Sequence, residues 1–237
     1  MTDGITGGMI VLTNDDGFGA PGIHALQAAL KLAFPDLTSA IVAPDQHLSG
    51  CSHQLNRGGP ITIDQRGEHA YAIGGTPADC TRVAVSHLYP NVQWVLSGIN
   101  AGGNLGADIY VSGTVAAVRE AALLRVPGIA MSHYIHQRQP VDWQQAAERA
   151  AAVLANFMAT PLEAGQFWNI NLPHGDAATA PEVVVCRSCT QPLPTEYVVE
   201  NNEFRYVGRY RDRKRDPGAD TETCLNGHIS AVKIRLW

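Results

Sequence analysis

No stretch of the sequence approaches the roughly 20 consecutive apolar residues that a helix needs to cross a bilayer, so no membrane association is expected. Cations are in the minority. Lys and Arg number 17 against 22 Asp and Glu, a formal net charge of −5, which speaks against a general surface for a nucleic-acid duplex. The five cysteines are too few and too scattered for a disulfide framework, and they read as reduced thiols of a cytoplasmic protein. The opening MTDGITGG lacks the basic-then-apolar layout of a secretory signal and is expected to be a short frayed lead-in. Internal repeats and low-complexity tracts are absent.

What is present suits one large domain, or one domain with an appendage: 237 residues, 45% of them hydrophobic, enough for a substantial core. Continuous apolar runs of strand length alternate with helical periodicity. MIVLT (Met9 to Thr13) is followed by PGIHALQAALKLA, which opens on Pro21, a favoured first helical residue. TSAIVAP is the next strand. ITI and YAI are short strands, expected to pair as a hairpin. In GTPADCTRVAVSHL, Thr76, Pro77 and Asp79 form a capping box at the start of a helix. VQWVLS reads as strand, SGTVAAVREAALLRV as helix, GIAMS as strand and WQQAAERAAAVLANFMA as a long helix. Unbroken apolar strands alternating with helices imply an α/β fold, a doubly wound, mostly parallel sheet covered on both faces. Such a sheet binds ligands at the carboxyl ends of its strands.

Beyond Leu172 the texture changes. NLPHGDAATAPE reads as a loop, VVVC and EFRYVG as strand-like, RYRDRKRDPG as a basic run and HISAVKIRLW as a final alternating strand. The expected division is a core over residues 1–172 and a β-rich appendage over 173–237 that contacts another subunit.

Three polar clusters fall at strand ends. NDDG follows the first strand; the two adjacent carboxylates repel unless a cation or water lies between them, and oxygen-only ligands suit a hard ion such as Mg²⁺ or Mn²⁺. PDQHLSG, with Asp45 and Ser49, follows the second. SGINAGGNLG places Asn100 and Asn104 among four glycines, where backbone can approach a ligand closely. The tripeptide Ser112–Gly113–Thr114 then opens a helix, with hydroxyls and free N–H groups suited to a phosphate. Taken singly, each of these patterns also describes an ordinary turn or cap.

Together, VLTNDDGFGAPGI, VAPDQHLSG, GTPADC and SGINAGGNLGADIYVSGTVAAVREA resemble the signature segments of the SurE survival proteins, a family of metal-dependent nucleoside monophosphate phosphatases. The resemblance covers about the first 130 residues in order and continues through NINLP at Asn169 to Pro173. It implies a Rossmann-like fold whose C-terminal arm is exchanged in a homodimer or homotetramer. It implies Asp15, Asp16, Ser49 and Asn100 as ligands of one divalent cation per subunit, Mg²⁺ or Mn²⁺. Asn104, Ser112, Gly113 and Thr114 are implied as the phosphate site. The reaction it implies is hydrolysis of nucleoside 5′- or 3′-monophosphates, and of short polyphosphates, by water activated at the ion, with Asp15 or Asp16 as base. Two carboxylates neutralise the dication while Ser49 and Asn100 add no charge, so the site stays receptive to an anion. The sequence departs from the family at Val111, where an aromatic normally precedes the SGT serine, with Tyr110 one place earlier. It also departs in the segment before Asp216, where the family's DPRG-like stretch is replaced by the basic run.

Two other chemistries compete. A nucleotide-binding sensor would keep the pocket without turnover. A phosphatase with an aspartyl nucleophile expects Asp-x-Asp after the first strand, whereas here the aspartates are adjacent. The remaining candidates read as structural. Cys186 and Cys189 have no second ligand pair for zinc and precede TQPLP, which cannot open a redox-type helix. The five cations from Arg209 to Arg215 form an expected solvated loop, with attraction for nucleotide or polyphosphate, or a grip on a neighbouring subunit, as the other readings. His133 and His136 share a helical spacing but sit in a loop-like stretch, and His47 and His53 flank the Ser49 loop.

Overall fold

In a computed structural model of the chain, residues 8–175 and 180–237 are described. Most of the frayed lead-in, and positions 176–179 of the expected loop after Leu172, lie outside the described residues. The elements run β1 (Met9–Thr13), α1 (Pro21–Ala33), β2 (Thr38–Pro44), β3 (Ile63–Gly67), β4 (Ala70–Ile73), α2 (Pro77–Val83), β5 (Val92–Ala101), α3 (Gly113–Leu123), β6 (Gly128–His133), α4 (Trp143–Phe157), β7 (Gln166–Leu172), β8 (Val183–Val185), β9 (Tyr197–Glu200), β10 (Glu203–Tyr206), α5 (Asp220–Leu225) and β11 (Ile229–Arg235).

Nine strands form one sheet in the order β3-β4-β2-β1-β5-β6-β7-β11-β8, and β9 and β10 form a separate two-stranded ribbon. From β4 through β7 every neighbouring pair is parallel. Within that sheet, among the described residues, only β3 on β4 and β11 on β7 run antiparallel. The α/β fold expected from patterning is therefore the observed one. Its cause is visible in β1, where Ile10 and Leu12 enter the core under α1 and α4 while Val11 enters the core under α2 and α3. Successive side chains point to opposite faces, and both faces are covered, so no polar alternation survives. Side chains buried to this degree each contribute about 1.5–3 kcal/mol.

The helix starts follow local chemistry. Pro21 opens α1, and at α2 the Thr76 hydroxyl accepts from Asp79 N–H while the Asp79 carboxylate accepts from Thr76 N–H. Ser112 caps α3 by accepting from Val115 N–H. No helix among the described residues is long and apolar enough to cross a membrane.

Differences from patterning cluster where pairing or tertiary contact decides. The hairpin strand expected at ITI starts at Ile63 and runs to Gly67, because the turn into β4 sets Gly67 opposite Ala70 and Ile63 opposite Ile73. The strand expected at VQWVLS continues through Asn100 to Ala101. Patterning assigned nothing to β7, β9, α5 or the 3-10 turn at Gly106–Tyr110. The change of texture at Leu172 is not an edge of the sheet, since β8 and β11 extend it and only β9–β10 stands apart.

Candidate active site

The carboxyl ends of β1, β2 and β5 open on one edge of the sheet. Just past β1, Asn14 turns the chain: its side-chain Oδ1 accepts from Gly17 N–H (3.2 Å) and its Nδ2 donates to Gly17 O (2.8 Å). Gly17 has φ +102°, a conformation that costs other residues dearly. The turn sends Asp15 inward, only 3% exposed, and leaves Asp16 at the rim.

Two separate sets of partners hold the carboxylates. Thr114 Oγ1 donates to Asp15 Oδ1 at 2.5 Å. The other Asp15 oxygen lies against the start of α3, where a Cβ on Gly113 would come within 3.0 Å of Oδ2 and 2.8 Å of Asp15 Cβ. Burial raises the Asp15 pKa, the Thr114 hydroxyl opposes that, and the Asp16 charge adds to it; the net direction is upward. Asp16 Oδ2 accepts from the backbone N–H of Ala101 (3.1 Å), at the end of β5, and Oδ1 lies 3.3 Å from His47 Nδ1.

The second crossover is tied to both neighbours. Leu48 N–H donates to Asp15 O (2.7 Å), Ser52 N–H to Val111 O (3.0 Å) and Ser52 Oγ to Tyr110 O (2.9 Å). Ser49 therefore hangs, exposed, between a contact to the aspartate turn and one to the residues before α3. Asn100 donates through Nδ2 to Gly102 O (2.8 Å), a bond that does not use its side-chain oxygen. Asp15 and Asp16 after β1, Ser49 after β2 and Asn100 at the end of β5 thus belong to three segments joined by direct contacts. Their donor atoms are all oxygens and two are carboxylates, a set that fits a hard dication.

The four residues expected around a phosphate divide into two groups. Ser112 Oγ accepts from Val115 N–H (3.1 Å) and keeps its own hydrogen to donate. Gly113, the first residue of α3, offers an N–H with no intrahelical partner. The Thr114 hydroxyl, by contrast, is turned onto Asp15. Asn104 is 7% exposed and anchored by side chains of β6 and β7: its N–H donates to Asn171 Oδ1 (2.7 Å), its carbonyl accepts from Asn169 Nδ2 (2.8 Å) and Asn171 Nδ2 (3.1 Å), and its side chain donates to Ser132 Oγ (2.8 Å). One side-chain N–H is left over. Asn169 and Asn171 were not singled out from the sequence. Their signal is two amides at i and i+2 in a strand apolar but for these and Gln166 at its start, which places both on one face.

The other candidates fall into place as structure. His53 is paired with α3, its Nε2 2.8 Å from Glu120 Oε2, while Arg82 Nε lies 2.5 Å from Glu120 Oε1. Cys186 and Cys189 are free thiols; Cys189 is buried, and burial raises the Cys186 pKa. His133 is buried against His174, with its pKa lowered to about 4 by desolvation. Among the described residues no group of three or more His, Cys, Asp or Glu side chains is arranged to hold a metal. The basic run is not simply a solvated loop: Arg213 is buried on Asp108 of its own chain, NH1 to Oδ2 at 2.8 Å. A cavity of about 700 Å³ lined by Trp94, Arg125 and Pro127 opens at the amino ends of the strands, away from these residues.

Comparison with known proteins gives one consistent result. The family described as Survival protein SurE matches residues 10–193. A putative 5′-nucleotidase of Nostoc sp. is 49% identical over 228 residues, covering 96% of this chain and 99% of that protein. The 5′-nucleotidase SurE 1 of Burkholderia lata is 35% identical over 236 residues, covering 96% and 90%. Among solved structures, the SurE protein from Aquifex aeolicus superposes with a TM-score of 0.84 at 27% identity, over 97% of this chain and 94% of that one.

Proposed function

From the premise that the chain belongs to the SurE family, we propose that it is a nucleotidase that hydrolyses nucleoside 5′- or 3′-monophosphates, with short polyphosphate as a further substrate, and that one Mg²⁺ or Mn²⁺ per subunit is required. The observation that carries this reading is the meeting of the Asp15–Asp16 turn with Thr114 of α3, Ala101 of β5 and Leu48 of the Ser49 loop.

Asp15, Asp16, Ser49 and Asn100 would hold the cation. When bound, it would neutralise charge on the phosphoryl oxygens and make water a stronger nucleophile at neutral pH. The chain's own groups do the rest. One carboxylate of the pair takes a proton of the attacking water as the water oxygen bonds to phosphorus, and the bond to the nucleoside oxygen breaks on the opposite side, that oxygen leaving as a hydroxyl with a proton from solvent. Gly113 N–H, Ser112 Oγ–H and the remaining Asn104 N–H donate to the equatorial oxygens, where negative charge is borne. Thr114 keeps the buried Asp15 oriented.

The ribbon β9–β10 supports a homodimer or homotetramer. Tyr206 stands opposite Tyr197 and Phe204 opposite Val199, so these four share one face, and all are exposed. A two-stranded ribbon is marginal alone, and an apolar face of this kind fits a second copy. The oligomerisation arm within 173–237 is thus the ribbon, with residues 1–172 supplying the catalytic residues.

The test is release of inorganic phosphate from a panel of 5′- and 3′-monophosphates with Mn²⁺ or Mg²⁺, with and without chelator. Chelation is expected to abolish release, and Asp15→Asn to do so with the fold intact. Nucleotide binding without release assigns a sensor instead, and a trapped phosphoaspartate assigns covalent chemistry.

A further inference from the structure

Three consecutive residues of the crossover after β5 have their backbone held by side chains far away in sequence. Asn104 is held by Asn169 and Asn171 of β7. The Leu105 carbonyl accepts from Arg213 NH2 (2.8 Å), and its N–H donates to Asp108 Oδ2 (3.1 Å). Gly106 N–H donates to Asp220 Oδ2 (2.8 Å). Asp108 Oδ2 also accepts from Tyr210 OH (2.6 Å) and Arg213 NH1 (2.8 Å), and the Arg213 guanidinium lies over the Tyr210 ring at 4.8 Å. The Arg213 side chain is fully buried, whereas Arg209, Arg211, Lys214 and Arg215 around it are exposed.

Burying a guanidinium is expensive unless its partners are well placed, and replacing such a pair by apolar groups is often neutral or stabilising. Bulk stability is therefore a poor reason for one cation of the run to turn inward. What the burial does accomplish is geometric. Arg213 bridges the carboxylate and the carbonyl that define the 3-10 turn at Gly106–Tyr110, and that turn delivers Ser112 to the start of α3.

We propose that Arg213 is a positioning residue that sets the Asn104–Ser112 crossover from the C-terminal tail and thereby fixes affinity for the phosphate group without touching substrate. The kinetic part rests on the nucleotidase reading; the structural part does not. Two measurements separate them. In the first, hydrogen exchange is followed by mass spectrometry in peptides covering 102–112 and, as control, α4. Arg213→Met is expected to speed exchange roughly tenfold in the first and leave α4 unchanged, the scale of losing one charge-assisted hydrogen bond. Tyr210→Phe, which keeps the ring and loses only the hydroxyl, is expected to do the same about threefold. In the second, KM and kcat for a nucleoside monophosphate are measured with Mn²⁺. KM should rise roughly tenfold in Arg213→Met with kcat within about threefold, and Arg213→Lys should recover part of the loss.

Unchanged exchange at 102–112 in both variants, or equal acceleration in α4, overturns the proposal. So does a fall in kcat with KM constant. If the wild-type protein releases no phosphate under any metal condition, the nucleotidase reading fails and the exchange measurement still decides the role of Arg213. Should Arg213→Met not fold, Tyr210→Phe carries both measurements.

Discussion

Substituting Glu120 should loosen the Ser49 loop without touching a proposed ligand. Glu120 lies on α3, 1% exposed, with one oxygen 2.8 Å from His53 Nε2 and the other 2.5 Å from Arg82 Nε. His53 belongs to the segment that carries Ser49, so the carboxylate fastens that segment to α3. Each hydrogen bond to a buried charge contributes about 1.5–3 kcal/mol. Arg82 is half-exposed and regains water when released, which places its share at the low end. Glu120→Ala is therefore expected to cost about 3 kcal/mol, a fall in Tm of roughly 6–12 °C for a chain of this length. Glu120→Gln keeps an acceptor for Arg82 and should cost about 1 kcal/mol. The sign with pH follows from the carboxyl's environment. Burial alone raises the Glu120 pKa, but the bonds from His53 and Arg82 outweigh it and hold the pKa below its ordinary 4.5. The stability it confers is then fully present above 4.5 and is lost as the pH falls through the lower, folded value. Urea denaturation followed by circular dichroism at a series of pH values checks this. Equal stability of wild type and both variants at pH 7, or a gap that widens in acid, would refute the reasoning.

Gly113→Ala should place a methyl within 2.8 Å of both Asp15 Cβ and Cys51 Sγ; overpacking of this kind costs about 1–3 kcal/mol, and turnover should fall with it in a phosphate-release assay. Adding Cys51→Ala should restore stability more than activity, because the clash with Asp15 remains. Thr114→Val keeps shape but removes the donor to Asp15, and calorimetric titration with Mn²⁺ should show weaker binding than in Thr114→Ser, which retains the hydroxyl. Phe204→Glu and Tyr206→Glu on the exposed ribbon face should lower the mass measured by light scattering while leaving the far-ultraviolet spectrum unchanged.

The parallel sheet was legible because each of its inner strands is a short apolar run ended by a turn, and because Pro21, Thr76 and Asp79 announce helix starts locally. The meeting of NDDG with the crossovers after β2 and β5 was legible for a topological reason: parallel strands put their carboxyl ends on one edge. What escaped was direction. Thr114 reads as a hydroxyl free for phosphate, and only the packing of α3 on β1 turns it onto Asp15. Arg213 reads as one of five solvated cations, since local patterning sees its charged neighbours and not Asp108, whose position is set 105 residues earlier. Asn169 and Asn171 hide in a strand whose average character is apolar, and their partner lies 65–67 residues upstream.

The antiparallel insertion of β11 between β7 and β8 has a consequence during synthesis. A ribosome that has just made Leu172 has already delivered Asp15, Asp16, Ser49, Asn100 and the whole of α3, but the flank of β7 is still bare. That flank is closed only by β11, made after β8, β9, β10 and α5, and Arg213 and Asp220, which grip Leu105 and Gly106, come shortly before it. Until β11 is made, the nascent chain carries those residues on a sheet whose flank is unpaired.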